Sequence, residues 1–226
     1  MKEKEKRFFC AGAILLACFL IWTALIIFVD ADDIAPNGTN VGFATFNTWF
    51  HKLTGEHMTL YKLTDILEII PLAVCAGFGV LGAVQLIKRK SIFKVDADII
   101  LLGVYYIAVI LGFLLFEIFP INYRPVLIDG VAEASYPSST TLLVLSVMPT
   151  LWFQAEKRSK NPTIKKAVAA FVVLYSLFMV AGRAISGVHW ATDIIGSFLL
   201  SVGLFSLYFA FAALFERKKS ADNKTK

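Results

Sequence analysis

Residues 182–193 read Gly-Arg-Ala-Ile-Ser-Gly-Val-His-Trp-Ala-Thr-Asp, which brings an arginine, a histidine and an aspartate to the mouth of a hydrophobic segment. Charged groups in or beside a membrane span are costly and mark function by default. His189 and Asp193 stand four residues apart, on one face if the segment is helical. A carboxylate beside an imidazole fixes its tautomer and steadies it as a nucleophile. Arg183 adds a planar fork of donors that matches phosphate oxygens. Together these residue types point to phosphoryl chemistry at a membrane surface.

Two further segments belong to the same face. Arg124 lies in Glu117-Ile-Phe-Pro-Ile-Asn-Tyr-Arg-Pro125, just after a hydrophobic run. Ser135-Tyr-Pro-Ser-Ser-Thr140 opens another run. Proline followed by hydroxyl residues predicts a helix start with free backbone N–H groups around Ser138 and Ser139, an end that holds phosphate without a metal.

The elements that must position these groups are membrane spans. Of the 226 residues, 58% are hydrophobic, and the mean hydropathy is +0.70, far from an ordinary soluble domain. A spanning helix needs roughly 20 apolar residues. The chain reads as one integral membrane domain over residues 1–226, an all-α, six-span transmembrane helix bundle with spans at about 8–29, 63–87, 99–119, 138–156, 165–183 and 190–215. The first run is too long for a simple signal peptide and reads as a retained span. Of the 22 Lys and Arg, 18 fall before the first span or after the second, fourth and sixth. Only Lys52, Lys62, Arg124 and Arg183 fall on the other side. The positive-inside rule then places both termini in the cytoplasm and the Arg124–Arg183 face outward at a cell membrane. The net charge of +5 reflects that topology and anionic headgroups, not nucleic acid, for which no binding motif is present.

Between the first two spans, Phe43, Phe46, Trp49, Phe50 and Leu53 recur at helical spacing with Asn47, His51 and Lys52 among them. They predict an outer-face interfacial helix, either a structural anchor or a lip that admits lipid tails. His51 and His57 lack partners at metal-ligand spacing, and Asp30, Asp32 and Asp33 lack a calcium-loop pattern, so no metal is expected. Cys10, Cys18 and Cys75 make no disulfide framework. The polar tail from Glu216 onward reads as disordered.

The three outward segments resemble the type-2 phosphatidic acid phosphatase superfamily. Its pattern has a lysine followed seven residues later by Arg-Pro, then Pro-Ser-Gly-His, then Ser-Arg, five residues, His, three residues and Asp. Here the blocks read Glu117 to Arg124-Pro125, Pro137-Ser138-Ser139-Thr140, and Gly182-Arg183 to His189 and Asp193. The resemblance implies a lipid phosphate or diphosphate phosphatase with no metal or cofactor, acting through a phosphohistidine on His189 oriented by Asp193. It implies that Arg124, Arg183, Ser138 and Ser139 cradle the phosphate. The substrates it implies are polyprenyl diphosphate, phosphatidic acid or phosphatidylglycerol phosphate.

Two positions depart from the pattern. Thr140 replaces the histidine that protonates the leaving group, and a hydroxyl is a poor acid near neutrality. A diphosphate, whose leaving phosphate is stable as an anion, loses less by that change than an alkoxide does. Glu117 reverses the charge of the lysine. It reads either as a protonated carboxyl that supplies the missing proton or as the ion-pair partner of Arg124 or Arg183, the pair being preferred because a lone carboxylate there is expensive. These changes leave a rival reading, a weakened or non-catalytic lipid-phosphate binder or carrier on the same scaffold.

Overall fold

The computed structural model describes residues 3–222. Their regular structure is helical: α1 Glu3–Phe28, α2 Ala44–Thr54, α3 Met58–Leu67, α4 Ile69–Arg89, α5 Ala97–Ile118, α6 Ser139–Arg158, α7 Pro162–Ile185 and α8 Ala191–Asp222. Each apolar run of the sequence becomes a helix because a chain surrounded by hydrocarbon must satisfy its backbone internally. Local signals set the ends. Asn161 accepts hydrogen bonds from the amides of Thr163 and Ile164, with Pro162 at the first helical position, so α7 starts there. Helix α8 continues to Asp222, so the tail expected to lack structure from Glu216 is helical that far; residues 223–226 lie outside the described residues.

Among the described residues, five helical stretches are long and apolar enough to cross a membrane: Glu3–Phe28, Met58–Arg89 (α3 and α4 together), Ala97–Ile118, Pro162–Ile185 and Ala191–Phe215. The fourth expected span, 138–156, is present as α6 but is not among them. The reason is its position. Helix α6 packs against α4, α5, α7 and α8, and it buries Thr140, Thr141, Ser146, Thr150 and Gln154 along with Leu142, Val144 and Met148. A helix enclosed by other helices faces little lipid and can carry hydroxyl groups that bond across the bundle. Tyr105 Oη, for example, donates to the Ser146 carbonyl at 2.9 Å.

Helices α1 and α8 run side by side along a seam of small residues. A Cβ on Gly12 would lie 2.9 Å from the Leu207 side chain, and one on Gly203 would lie 2.9 Å from that of Leu16. At one end of the seam Arg217 meets Glu5 at 3.5 Å. On that same basic end Asp98 takes Lys157 at 3.0 Å and Arg158 at 2.7 Å, tying the start of α5 to the end of α6. The opposite end holds the α5–α6 and α7–α8 connections and α2.

Helix α2 is amphipathic in a different sense from a surface helix on a soluble core. Asn47 is fully buried, while Trp49 is 57% exposed and Leu53 68%. The polar side faces the protein and the aromatic side faces out. Asn47 donates from Nδ2 to Thr192 Oγ1 at 3.0 Å and to the Gly42 carbonyl at 2.8 Å, which docks α2 on the start of α8. Asp30 holds the same end by accepting from the Thr45 amide at 2.8 Å.

The seam is testable. Gly203→Leu should cost about 1–3 kcal/mol through overpacking and lower the melting temperature in detergent, whereas Gly77→Ala, with nothing within 4 Å of its Cβ, should leave it unchanged. Equal melting of both variants would contradict the seam.

Candidate active site

Helix α7 ends at Ile185, and the chain turns through Gly187 at φ 73°. A Cβ at Gly187 would stand 2.0 Å from the Gly55 carbonyl oxygen, so only glycine fits both the left-handed backbone and the approach of the α2–α3 connection. The turn leaves His189 just ahead of α8 instead of within it. The pairing with Asp193 nevertheless forms, His189 Nδ1 lying 3.6 Å from Asp193 Oδ2. It is made across the helix start: Asp193 is the third helical residue, and its Oδ2 also accepts from the Trp190 amide at 2.9 Å.

Asp193 is wholly buried and bonded from several sides. Ser135 donates its hydroxyl to Oδ2 and also lies 3.3 Å from His189 Nδ1; Asn122 Nδ2 donates to Oδ1 at 3.3 Å. With Nδ1 turned toward this acceptor, Nε2 carries the free lone pair. His189 is only 2% exposed, and its Nε2 has no hydrogen-bond partner. Burial, opposed by Asp193 and assisted by the charges of Arg124 and Arg183, pulls the imidazole down from 6.5 to about 4. The ring is therefore neutral near pH 7, with a lone pair on Nε2.

Arg124 is delivered by the α5–α6 connection, which folds back on itself through bridges Tyr123–Ala134 and Ile128–Val131. Asp129 and Gly130, both at positive φ, make its tip. The fold-back sets Arg124 beside Glu133, Nη2 to Oε2 at 3.2 Å, and leaves Nε and Nη1 buried without partners. Arg124 and His189 line one small cavity of about 150 Å³ together with Phe113, Glu117, Ser135 and Ser139. Unpaired guanidinium N–H groups and an unpaired imidazole nitrogen in one cavity are what an incoming phosphate would satisfy.

Arg183 is more committed. It is 1% exposed and donates from Nε to Thr140 Oγ1 at 2.5 Å. Its Nη2 meets Glu68 Oε1 at 2.8 Å and Asp65 Oδ1 at 3.1 Å. Thr140 Oγ1 in turn donates to Glu68 Oε1. Only Nη1 is left without a partner. The Tyr61 ring sits under both guanidiniums, 4.7 Å from Arg183 Cζ and 5.7 Å from Arg124 Cζ. Gly182 permits the crowding: a Cβ there would stand 2.7 Å from Thr64 Cγ2, so the glycine that replaces the pattern's serine lets α3 bring Asp65 and Glu68 against Arg183.

The expected site residues thus do not all meet. His189, Arg124 and Ser139 line the cavity, with Asp193 buried against His189, while Arg183 and Thr140 lie outside its lining. Ser138 sits at the start of α6, but its hydroxyl is turned to Thr141 at 3.1 Å. No side chain caps that helix, so its first amides stay available. Glu117 lines the cavity, is exposed, and forms neither of the expected ion pairs, because Glu133 has taken Arg124 while Asp65 and Glu68 have taken Arg183. Nor is it enclosed in the low-dielectric pocket that the other reading required. Asp65, Glu68, Ser135 and Asn122 were not anticipated. Asp65 and Glu68 did carry a signal: they are acidic residues inside the run read as a span at 63–87, where a charge marks function. Among the described residues no three His, Cys, Asp or Glu side chains gather as a metal-binding group.

Residues 74–217 match the family model of the PAP2 superfamily. No curated protein matches the chain. Among solved structures, the chain is similar to a transmembrane PAP2-type phosphatidylglycerolphosphate phosphatase from Bacillus subtilis, with a TM-score of 0.59 and 19% identity over 95% of this chain and 97% of that one.

The electrostatics of His189 give a pH prediction. The imidazole of the unfolded chain takes up a proton near pH 6.5, whereas in the fold it does so only at about pH 4. Stability contributed by the neutral ring is therefore complete above about pH 6.5 and declines as pH falls toward 4. NMR of ring-labelled histidine should show the His189 resonance unshifted from pH 8 to 5.5. A midpoint near 6.5 would contradict the buried, neutral ring.

Proposed function

The chain belongs to the PAP2 superfamily, and on that premise we propose that it is a metal-independent lipid phosphatase in which Nε2 of His189 attacks the phosphorus of a membrane lipid phosphate or diphosphate. The observation that carries this reading is the unpartnered Nε2, backed by Asp193 and sharing a cavity with the unpartnered N–H groups of Arg124. The new P–N bond forms as the bond from phosphorus to the leaving oxygen breaks. Asp193 steadies the positive charge that appears on the ring. Arg124, the free Nη1 of Arg183, the Ser139 hydroxyl and the first amides of α6 take the phosphoryl oxygens. Water then attacks the phosphohistidine, the P–N bond breaks, and inorganic phosphate leaves.

Thr140 stands where the family pattern has its proton donor, so the leaving group must depart without much help. That favours substrates whose leaving group is stable as an anion, such as a polyprenyl diphosphate, over phosphatidic acid or phosphatidylglycerol phosphate. The placement of basic residues supports an orientation with both termini in the cytoplasm, α6 crossing as the fourth of six spans, and the cavity at the outer leaflet of a cell membrane. The aromatic face of α2 then rests at headgroup level.

One observation favours the second reading, a lipid-phosphate binder or carrier with little turnover: Arg183 is already held by two carboxylates and a threonine. Phosphate release from undecaprenyl diphosphate and from phosphatidic acid, measured on purified protein in detergent with a chelator present, separates the two. Release is expected, faster from the diphosphate, and abolished by His189→Ala. Arg124→Ala should slow it about 100- to 1000-fold. Lipid binding without release, unchanged by His189→Ala, would select the carrier.

A further inference from the structure

We propose that Glu68 is the general base that activates water for hydrolysis of the phosphohistidine, an inference that rests on His189 being the nucleophile. A histidine at position 140 would serve both halves of such a reaction, giving a proton to the leaving group and then taking one from water. Thr140 can do neither alone. Its hydroxyl, however, is spent on a carboxylate from another helix: Thr140 Oγ1 donates to Glu68 Oε1, and the same oxygen receives Arg183 Nη2 at 2.8 Å. Glu68 thus reaches, from α3–α4, the place that the missing imidazole would occupy.

The backbone is shaped to put it there. Glu68 is the residue at which α3 ends and α4 begins, its amide turning back to the Asp65 carbonyl at 3.1 Å. The break aims its carboxylate across the bundle at α6 and α7 instead of along the surface of its own helix. The side chain is 23% exposed, open enough for water to arrive. Arg183 presents its free Nη1 beside the Nη2 that Glu68 occupies. A phosphoryl oxygen taken by Nη1 would share one guanidinium with the Glu68 carboxylate, which brings the two groups to a single side chain.

The ion pair decides which half-reaction Glu68 serves. A carboxylate paired with a guanidinium accepts protons and does not supply them, so it gives no help to the departing lipid group. In the second half, water loses a proton to Glu68 as its oxygen bonds to phosphorus. The P–N electron pair returns to His189 Nε2, and the proton on Glu68 passes to solvent with the phosphate. Asp65 shares Arg183 Nη2, whereas the Thr140 hydroxyl goes to Glu68, and the Asp65 side chain is 56% exposed. It is a positioning residue for Arg183 and serves as the control.

Glu68→Gln keeps an oxygen to accept from Thr140 while removing the base. Wild type, Glu68→Gln, Asp65→Asn and His189→Ala would each be given lipid substrate radiolabelled at the transferred phosphate, with lipid product, free phosphate and protein-bound label followed in time. The expected result for Glu68→Gln is a burst of about one equivalent of lipid product, stable label on the protein, and turnover slowed about 100- to 10,000-fold. Asp65→Asn should turn over without accumulating label. Glu68→Gln turning over at the wild-type rate, or losing activity with no protein-bound label, would overturn the role given to Glu68 while leaving His189 in place. Wild type that shows no His189-dependent release would overturn the underlying reading and this proposal with it.

Discussion

The site depends on keeping one carboxylate buried. Asp193 has no exposure, and an unpaired carboxylate at that depth would cost several kcal/mol. Its neighbours come from separate parts of the chain: Asn122 and Ser135 from the two arms of the α5–α6 connection, His189 from the α7–α8 turn, and the Trp190 amide from the start of α8. The positive end of the α8 dipole adds to them. Because no single segment supplies the set, the carboxylate is satisfied only when all of them are docked. The same condition fixes the ring of His189, and with it the direction of Nε2. Assembly of the His189–Asp193 pair and stability of this end of the bundle are thus one event.

A second set of contacts offsets the first. Two guanidiniums beside a neutral imidazole make a strongly positive pocket, and the chain answers with Glu133 on Arg124 and with Asp65 and Glu68 on Arg183. The substitutions on the Arg183 side belong together. Gly182 leaves out a Cβ that would meet Thr64, α3 closes in, Glu68 arrives at Arg183, and the short Thr140 side chain joins them where a larger ring would stand.

Much of this was legible in the sequence where the signal is local. The apolar runs became helices, the aromatic repeat at 43–53 became α2, and the four-residue spacing of His189 and Asp193 became a contact. What stayed hidden was set by contacts distant in sequence. Asn47 looks like a solvent-facing residue of α2 and is instead its buried anchor, because its partner Thr192 lies far along the chain. Glu117 was expected in an ion pair, yet the arginines had nearer carboxylates in Glu133, Asp65 and Glu68, which no spacing rule connects to them. Helix α6 reads as a span by position but is too polar to be recognised as one by composition, since its faces meet other helices. The fold-back of the α5–α6 connection had a sequence mark in Asp129-Gly130, a dipeptide that favours tight reversals.

The central claim is that an imidazole held by Asp193 through Nδ1 offers Nε2 to phosphorus. It is tested most directly by quenching the protein during turnover in alkaline denaturant, which preserves phosphoramidates, and locating the phosphate by peptide mapping and ³¹P NMR. The account predicts a single phosphorylated residue, His189, substituted on Nε2. Phosphate on Nδ1, on Ser135 or Ser139, or on no residue while substrate is being hydrolysed would contradict it.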